Sequence, residues 1–125
     1  MQRLGVRVSI LRGLTEHEEQ RTFVSWFRQT YEGVRIFAIP NGGKRSPSEA
    51  LRLKVEGVSA GVPDLFIPEW MVWVEFKKAK GGKVSPEQKD WHEYLKKIGH
   101  CVIVAYGCED GKQKVRLTLP LQKHQ

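Results

Sequence analysis

Apolar residues recur along this chain in two rhythms, one helical and one alternating. Phe23, Val24, Phe27 and Tyr31 fall on one stripe at helical spacing. Ahead of them stand Thr15 and Glu18, the pattern of a capping box, in which the cap hydroxyl serves the exposed amides of the first turn. Gly33 closes this predicted helix. Segment 34–39 reads as a strand and Pro40-Asn41-Gly42-Gly43 as a turn. Ser46-Pro47-Ser48-Glu49 repeats the start signal with proline at the first helical position, predicting a helix to about Glu56 that stops at Gly57. Segments 64–67 and 71–76 are short apolar runs flanking Pro68-Glu69-Trp70, which predicts a hairpin. Segment 77–83 is a basic, glycine-containing loop. Ser85-Pro86-Glu87-Gln88 is a further capping box, opening a helix with Trp91, Leu95 and Ile98 inward and Gly99 as its stop. Segment 100–106 is almost continuously apolar, as a buried strand requires, and 114–119 reads as a last strand. At the start, Val6, Val8 and Ile10 alternate with Arg7 and Ser9, so residues 1–14 are either an edge strand or a loose leader.

The order helix, strand, helix, hairpin, helix, strand predicts an α/β fold with a central mixed β-sheet flanked by helices. A chain of 125 residues is the size of one domain with one core, here residues 15–125. The two cysteines, Cys101 and Cys108, are too few for a disulfide framework and lack zinc-site spacing. That usage fits an intracellular, cytoplasmic setting. No apolar stretch approaches the roughly 20 residues of a membrane span, and no secretory signal is expected. Charge adds a partner: 21 lysines and arginines against 14 acids give a net +7, which favours a polyanion, nucleic acid first.

The chemistry concentrates in the hairpin. Strand alternation puts Glu75 and Lys77 on one face and turns Phe76 the other way. A loop centred on Glu69 and Trp70 pairs Ile67 with Val72, and continuing that register pairs Asp64 with Glu75. Directly opposite residues have β-carbons about 4.5–5.5 Å apart, so two carboxylates there repel. A divalent cation offsets the repulsion, and hard oxygen donors suit Mg²⁺ or Mn²⁺. Such a centre hydrolyses phosphodiesters: the cation furnishes a hydroxide-like nucleophile, and Lys77 positions water or stabilises phosphate charge. The plain alternative is an exposed hairpin bearing a surface Glu–Lys pair. On the first helix, Glu16 and Gln20 fall on the stripe of Phe23 and Phe27, Glu18 lies opposite and Glu19 on the margin. An inward carboxylate at Glu16 fits a shared metal; equally, it complements the helix dipole.

Gly61-Val62-Pro63-Asp64-Leu65 followed by Val74-Glu75-Phe76-Lys77 resembles the PD-(D/E)XK nuclease superfamily and, more narrowly, the VRR-NUC domain, the virus-type replication-repair nuclease. Glu16 with Gln20, Ile39-Pro40-Asn41, Leu51-Arg52-Leu53-Lys54 before Gly57, and Ser85-Pro86-Glu87-Gln88 before Gly99 fit the same family. The resemblance spans about residues 15–106. It implies a restriction-endonuclease-like core and metal ligation by Glu16 (or Glu19), Asp64, Glu75 and the Phe76 carbonyl. It further implies Lys77 as catalytic lysine and Gln88 supporting the centre. Stand-alone members are similar to phage proteins that act as homodimers on branched DNA such as four-way junctions.

Asn41, Lys44, Arg45 and Lys54 before the hairpin, and Lys78, Lys80 and Lys83 after it, are the expected DNA-binding set, giving salt-sensitive, sequence-independent affinity. Asn41 reads equally as a plain turn residue. Trp73 shares the face of Glu75; it serves ordinary packing, a dimer surface or base stacking. Two competing classes are a restriction-like or nicking enzyme, for which the chain has little length to spare, and a DNA-binding module without chemistry, against which an intact Asp64/Glu75/Lys77 set argues.

Overall fold

A computed structural model describes residues 14–40 and 45–123, with side chains as far as Leu119. The reading of residues 1–14 therefore lies almost wholly outside the described residues, as do Asn41 and Lys44. The elements are α1 (Glu16–Thr30), β1 (Phe37–Ala38), α2 (Pro47–Val55), β2 (Leu65–Ile67), a 3₁₀ turn (Pro68–Trp70), β3 (Val72–Lys77), α3 (Pro86–Lys97), β4 (Cys101–Tyr106) and α4 (Cys108–Lys123).

The capping boxes form where the sequence places them. Thr15 Oγ1 accepts from Glu18 N while Glu18 Oε1 accepts from Thr15 N. Ser85 and Gln88 exchange the equivalent pair. The four strands lie in the order β1-β2-β3-β4, the first three antiparallel and β4 parallel to β3, so the sheet is mixed. Ile67 pairs with Val72 and Leu65 with Val74, the predicted hairpin register.

Alternation divides the sheet into two faces. Leu65, Ile67, Val72, Val74, Phe76, Ile103 and Ala105 point to one face, where Phe23 and Phe27 of α1 and Val115 of α4 close the core. Phe23 meets Phe76 edge-on at 5.3 Å between ring centroids. Truncating any of these phenylalanines to alanine costs about 3–5 kcal/mol. The other face carries Phe66, Trp73, Glu75 and Lys77, and α3 packs over its Glu75 end.

Three expectations are corrected. Strand 34–39 shrinks to Phe37–Ala38 because its backbone is used elsewhere. Val34 N turns back to Tyr31 O, and Ile36 O accepts from Arg28. Segment 114–119 is helical, not a strand. Asp110 accepts from Tyr106 N at the start of α4 and pairs with Lys114 at 2.8 Å, while Glu109 pairs with Lys112 at 2.9 Å. Val115 and Thr118, three apart, are the buried positions, and Leu117 is 76% exposed. On α3 the inward residues are His92 and Leu95; Trp91 is half-buried and Ile98 exposed.

Candidate active site

The site begins with a proline. In the β2–β3 register Pro63 falls opposite Phe76 and Asp64 opposite Glu75. A strand residue directs its N–H and C=O to the same neighbour. Proline has no N–H to offer the Phe76 carbonyl, and the ladder stops there. The Asp64 side chain completes it instead: Oδ2 accepts from Phe76 N at 2.7 Å. This bond fixes the Asp64 carboxylate beside β3 and turns the Phe76 carbonyl toward the same side.

Glu75 is 1% exposed. Two side chains of α3 hold its two oxygens separately: Gln88 Nε2 donates to Oε2 at 3.1 Å, and His92 Nε2 lies 3.3 Å from Oε1. Gln88 is also the capping-box residue of α3, its Oε1 accepting from Ser85 N at 2.8 Å. Its amide therefore ties the start of α3 to the acidic face of β3. Burial, with the charges of Lys96 and Lys77, holds the His92 imidazole below the usual histidine range, so it stays neutral.

The electrostatics match this geometry. Burial first, then the charge of Asp64 and a hydrogen bond with its carboxyl, push Glu75 up to about 9; Lys77 opposes the shift and Glu16 adds to it. A buried acid beside a second acid cannot readily ionise. Glu75 therefore keeps a proton at neutral pH unless a cation takes its place. Lys77 is buried at the end of β3. Of the two glutamates weighed on α1, Glu19 is committed elsewhere: its Oε1 accepts from Cys108 N at the start of α4. The charge of Glu16 reaches Glu75.

Asp64, Glu75, Lys77, Gln88 and, through its field, Glu16 are thus brought together. Lys78, Lys80 and Lys83 are exposed on the loop after β3, Lys54 is exposed on α2, and Arg45 is half-buried ahead of it. His92 is the contact that sequence reasoning missed. Its one signal is position, a full turn after Gln88 and on the same face of α3.

Among the described residues no three His, Cys, Asp or Glu side chains cluster closely enough to cage a metal by themselves. Mg²⁺ does not need such a cage, since it binds through one or two carboxylates and keeps several waters. A facing carboxylate pair, one member forced to hold a proton, with a backbone carbonyl alongside, fits that ion.

The glycine before the acidic strand sets the distance to α3. Gly61 has φ +96°, and a Cβ there would lie 2.6 Å from Glu87 O. Gly61→Ala is expected to force the first turn of α3 outward and loosen the Gln88 contact, costing about 1–3 kcal/mol. Urea unfolding checks this; an unchanged midpoint would contradict it.

A mixed sheet with helices on both faces, carrying Pro63-Asp64 on one hairpin strand and Glu75-Phe76-Lys77 on the next, defines the class: a nuclease of the PD-(D/E)XK type. The VRR-NUC domain matches residues 2–109. A solved structure described as a VRR_NUC domain protein is similar, with a TM-score of 0.69 and 31% identity over 84% of this chain and 88% of that one. The chain belongs to the VRR-NUC family. None of the curated proteins compared matches it.

Proposed function

We propose that this protein is a Mg²⁺- or Mn²⁺-dependent endodeoxyribonuclease that selects branched DNA by structure and works as a homodimer. The observation that carries the reading is the Asp64–Glu75 pair, with Glu75 pushed up to about 9 and braced by Gln88 and His92. Asp64, Glu75, the Phe76 carbonyl and Glu16 are the residues that would hold the cation. Bound there, it supplies a hydroxide-like nucleophile at neutral pH and offsets charge on the phosphate.

The protein's own groups do the rest. With a cation bound, Glu75 would release its proton, and the neutral amide of Gln88 and imidazole of His92 hold its carboxyl group from turning. Lys77 presents an ammonium to the charge that grows on the phosphate as the bond breaks. Lys78, Lys80, Lys83, Arg45 and Lys54, with Asn41 and Lys44, supply phosphate contacts, which read the backbone and not the bases.

Dimerisation is supported by α2. This helix buries none of its residues, and its apolar Leu51 and Val55 are 62% and 78% exposed. An isolated helix of nine residues is marginal in water, and a second copy laid against it would cover that apolar face. Light scattering should give twice the 14.4 kDa chain mass; a mass of one chain would end the dimer reading.

The function is tested with end-labelled duplex, single-stranded, flap and four-way-junction DNA, incubated with Mg²⁺, Mn²⁺ or chelator. Junction cleavage that needs either ion is expected. Cleavage in chelator, or none on any DNA, overturns the nuclease reading. Equal rates on all four DNAs overturn structure selection.

A further inference from the structure

The parallel strands β3 and β4 end on the same side of the sheet, next to the acid pair. Lys77, the last residue of β3, is level with Tyr106 of β4 and follows Glu75 on the same face. One step on, Gly107 N donates to the Lys77 carbonyl at 3.2 Å, the last rung of the ladder. The loop leaving Lys77 closes on the same spot. A Cβ on Gly82 would lie 2.8 Å from Lys77 Cβ and from the Lys78 backbone, and one on Gly107 would lie 3.4 Å from Ala79. This grip matters because of what Lys77 lacks. The residue is 9% exposed, and its ammonium makes no hydrogen bond or ion pair to any described residue. With no partner to orient it, the ammonium is placed by its backbone and by the walls around its stem.

The turn that holds Lys77 is itself held by Glu19. Helix α4 opens at Cys108, so its first amides need acceptors from outside the helix. Gly107, just before it, has φ +92° and no side chain to offer as a cap. The Asp110 carboxylate is turned back to Tyr106 N. The Cys108 amide is met instead from α1, where Glu19 Oε1 accepts it at 3.1 Å. A carboxylate suits the positive end of a helix. Glu19 Oε2 covers the bare side of Gly107, where a Cβ would come within 2.9 Å of it. One side chain thus pins Gly107 and Cys108 together, and Gly107 passes the constraint to the Lys77 carbonyl.

We propose that Glu19 is a positioning residue for Lys77, acting through the Gly107–Cys108 turn to hold the Lys77 backbone and so aim its ammonium at the phosphate. The proposal rests on the nuclease reading and deepens it. It separates the work of the two α1 glutamates: Glu16 stands with the acids that would hold the cation, and Glu19 places the lysine. A reacting group misplaced by about 1 Å costs up to about 10²-fold in rate, so the effect of losing Glu19 falls on the chemical step.

The test compares Glu19→Ala, Glu19→Asp and Glu19→Gln in the full chain, well below their melting temperatures. Glutamine keeps an oxygen for the Cys108 amide, whereas aspartate keeps the charge but falls one methylene short. On the DNA that wild type cleaves best, Glu19→Ala should lower kcat at least about tenfold with KM within about twofold of wild type. Glu19→Asp should lose less in the same direction, and Glu19→Gln should stay within about threefold of wild type. Mn²⁺ affinity without DNA, followed by electron paramagnetic resonance, should be unchanged in all three. Exchange of the Gly107 amide, followed by NMR without DNA or cation, should quicken at least about tenfold in Glu19→Ala and hold in Glu19→Gln. If Glu19→Ala does not fold, Glu19→Asp against Glu19→Gln carries the same comparison. A kcat left untouched by both Glu19→Ala and Glu19→Asp would overturn the proposal. Loss of Mn²⁺ affinity in Glu19→Ala and Glu19→Gln alike would also overturn it, by making Glu19 a ligand. A wild-type chain that cuts no DNA would sink the nuclease reading. Gly107 exchange then decides the hold on Lys77 by itself, and an unchanged rate in Glu19→Ala would end it.

Discussion

Asp64→Asn leaves a folded protein that no longer cuts DNA. The asparagine carbonyl still accepts the Phe76 N–H, so the end of the hairpin stays in place. What is lost is the charge facing Glu75. The expected fall in single-turnover cleavage is at least about 10³-fold, or about 4 kcal/mol of transition-state stabilisation. Removing a negative charge should leave binding to DNA in chelator unchanged or slightly tighter. It also relieves Glu75 of its nearest like charge, so above neutral pH the variant should melt higher than wild type. A residue that served the fold alone would show the reverse, lower melting with cleavage retained. Cleavage within about tenfold of wild type would refute the assignment of Asp64.

The second large effect is on stability against pH. Glu75 releases its proton near 4.5 in the unfolded chain and at about 9 in the fold. Between those values the native state holds a proton that the unfolded state has given up, so stability falls as pH rises. The contribution is fully present below 4.5 and is lost by about 9, at up to about 1.4 kcal/mol per pH unit. Glu75→Gln removes this dependence. The glutamine amide can accept from Gln88 Nε2 and donate to the neutral His92 ring, so no buried polar group is left unpaired. We expect a melting temperature nearly flat from pH 5 to 9 and about 10 °C or more above wild type at the alkaline end, with cleavage abolished. Divalent cation should raise the melting temperature of wild type most at alkaline pH, where a proton competes least, and should not do so in Glu75→Gln. A wild-type melting temperature that holds or climbs through the window would contradict the burial of this acid.

How much of this could be read from the chain follows from the range of each signal. The caps at Thr15/Glu18 and Ser85/Gln88 and the Ile67–Val72 register were readable because each is settled within a few residues. The facing of Asp64 and Glu75 follows from that register alone. The use of Gln88 came from a family resemblance, and its hydrogen bond to Glu75 gives it a physical basis. His92 escaped because the apolar stripe through Trp91, Leu95 and Ile98 points to one face, whereas the face that meets β3 runs through Gln88, His92 and Leu95. Segment 114–119 misled because Val115, Leu117 and Leu119 alternate like a strand. The Asp110–Lys114 spacing, which signals a helix, was there to be weighed against them.

The claim beneath all of these is that Asp64 and Glu75 together make a cation site. Crystals grown with Mn²⁺ test it most directly through the anomalous difference map. A single strong peak about 2.1 Å from both an Asp64 and a Glu75 oxygen is the predicted result. Fully loaded crystals with no peak there, or with manganese bound only at other acids, would contradict it.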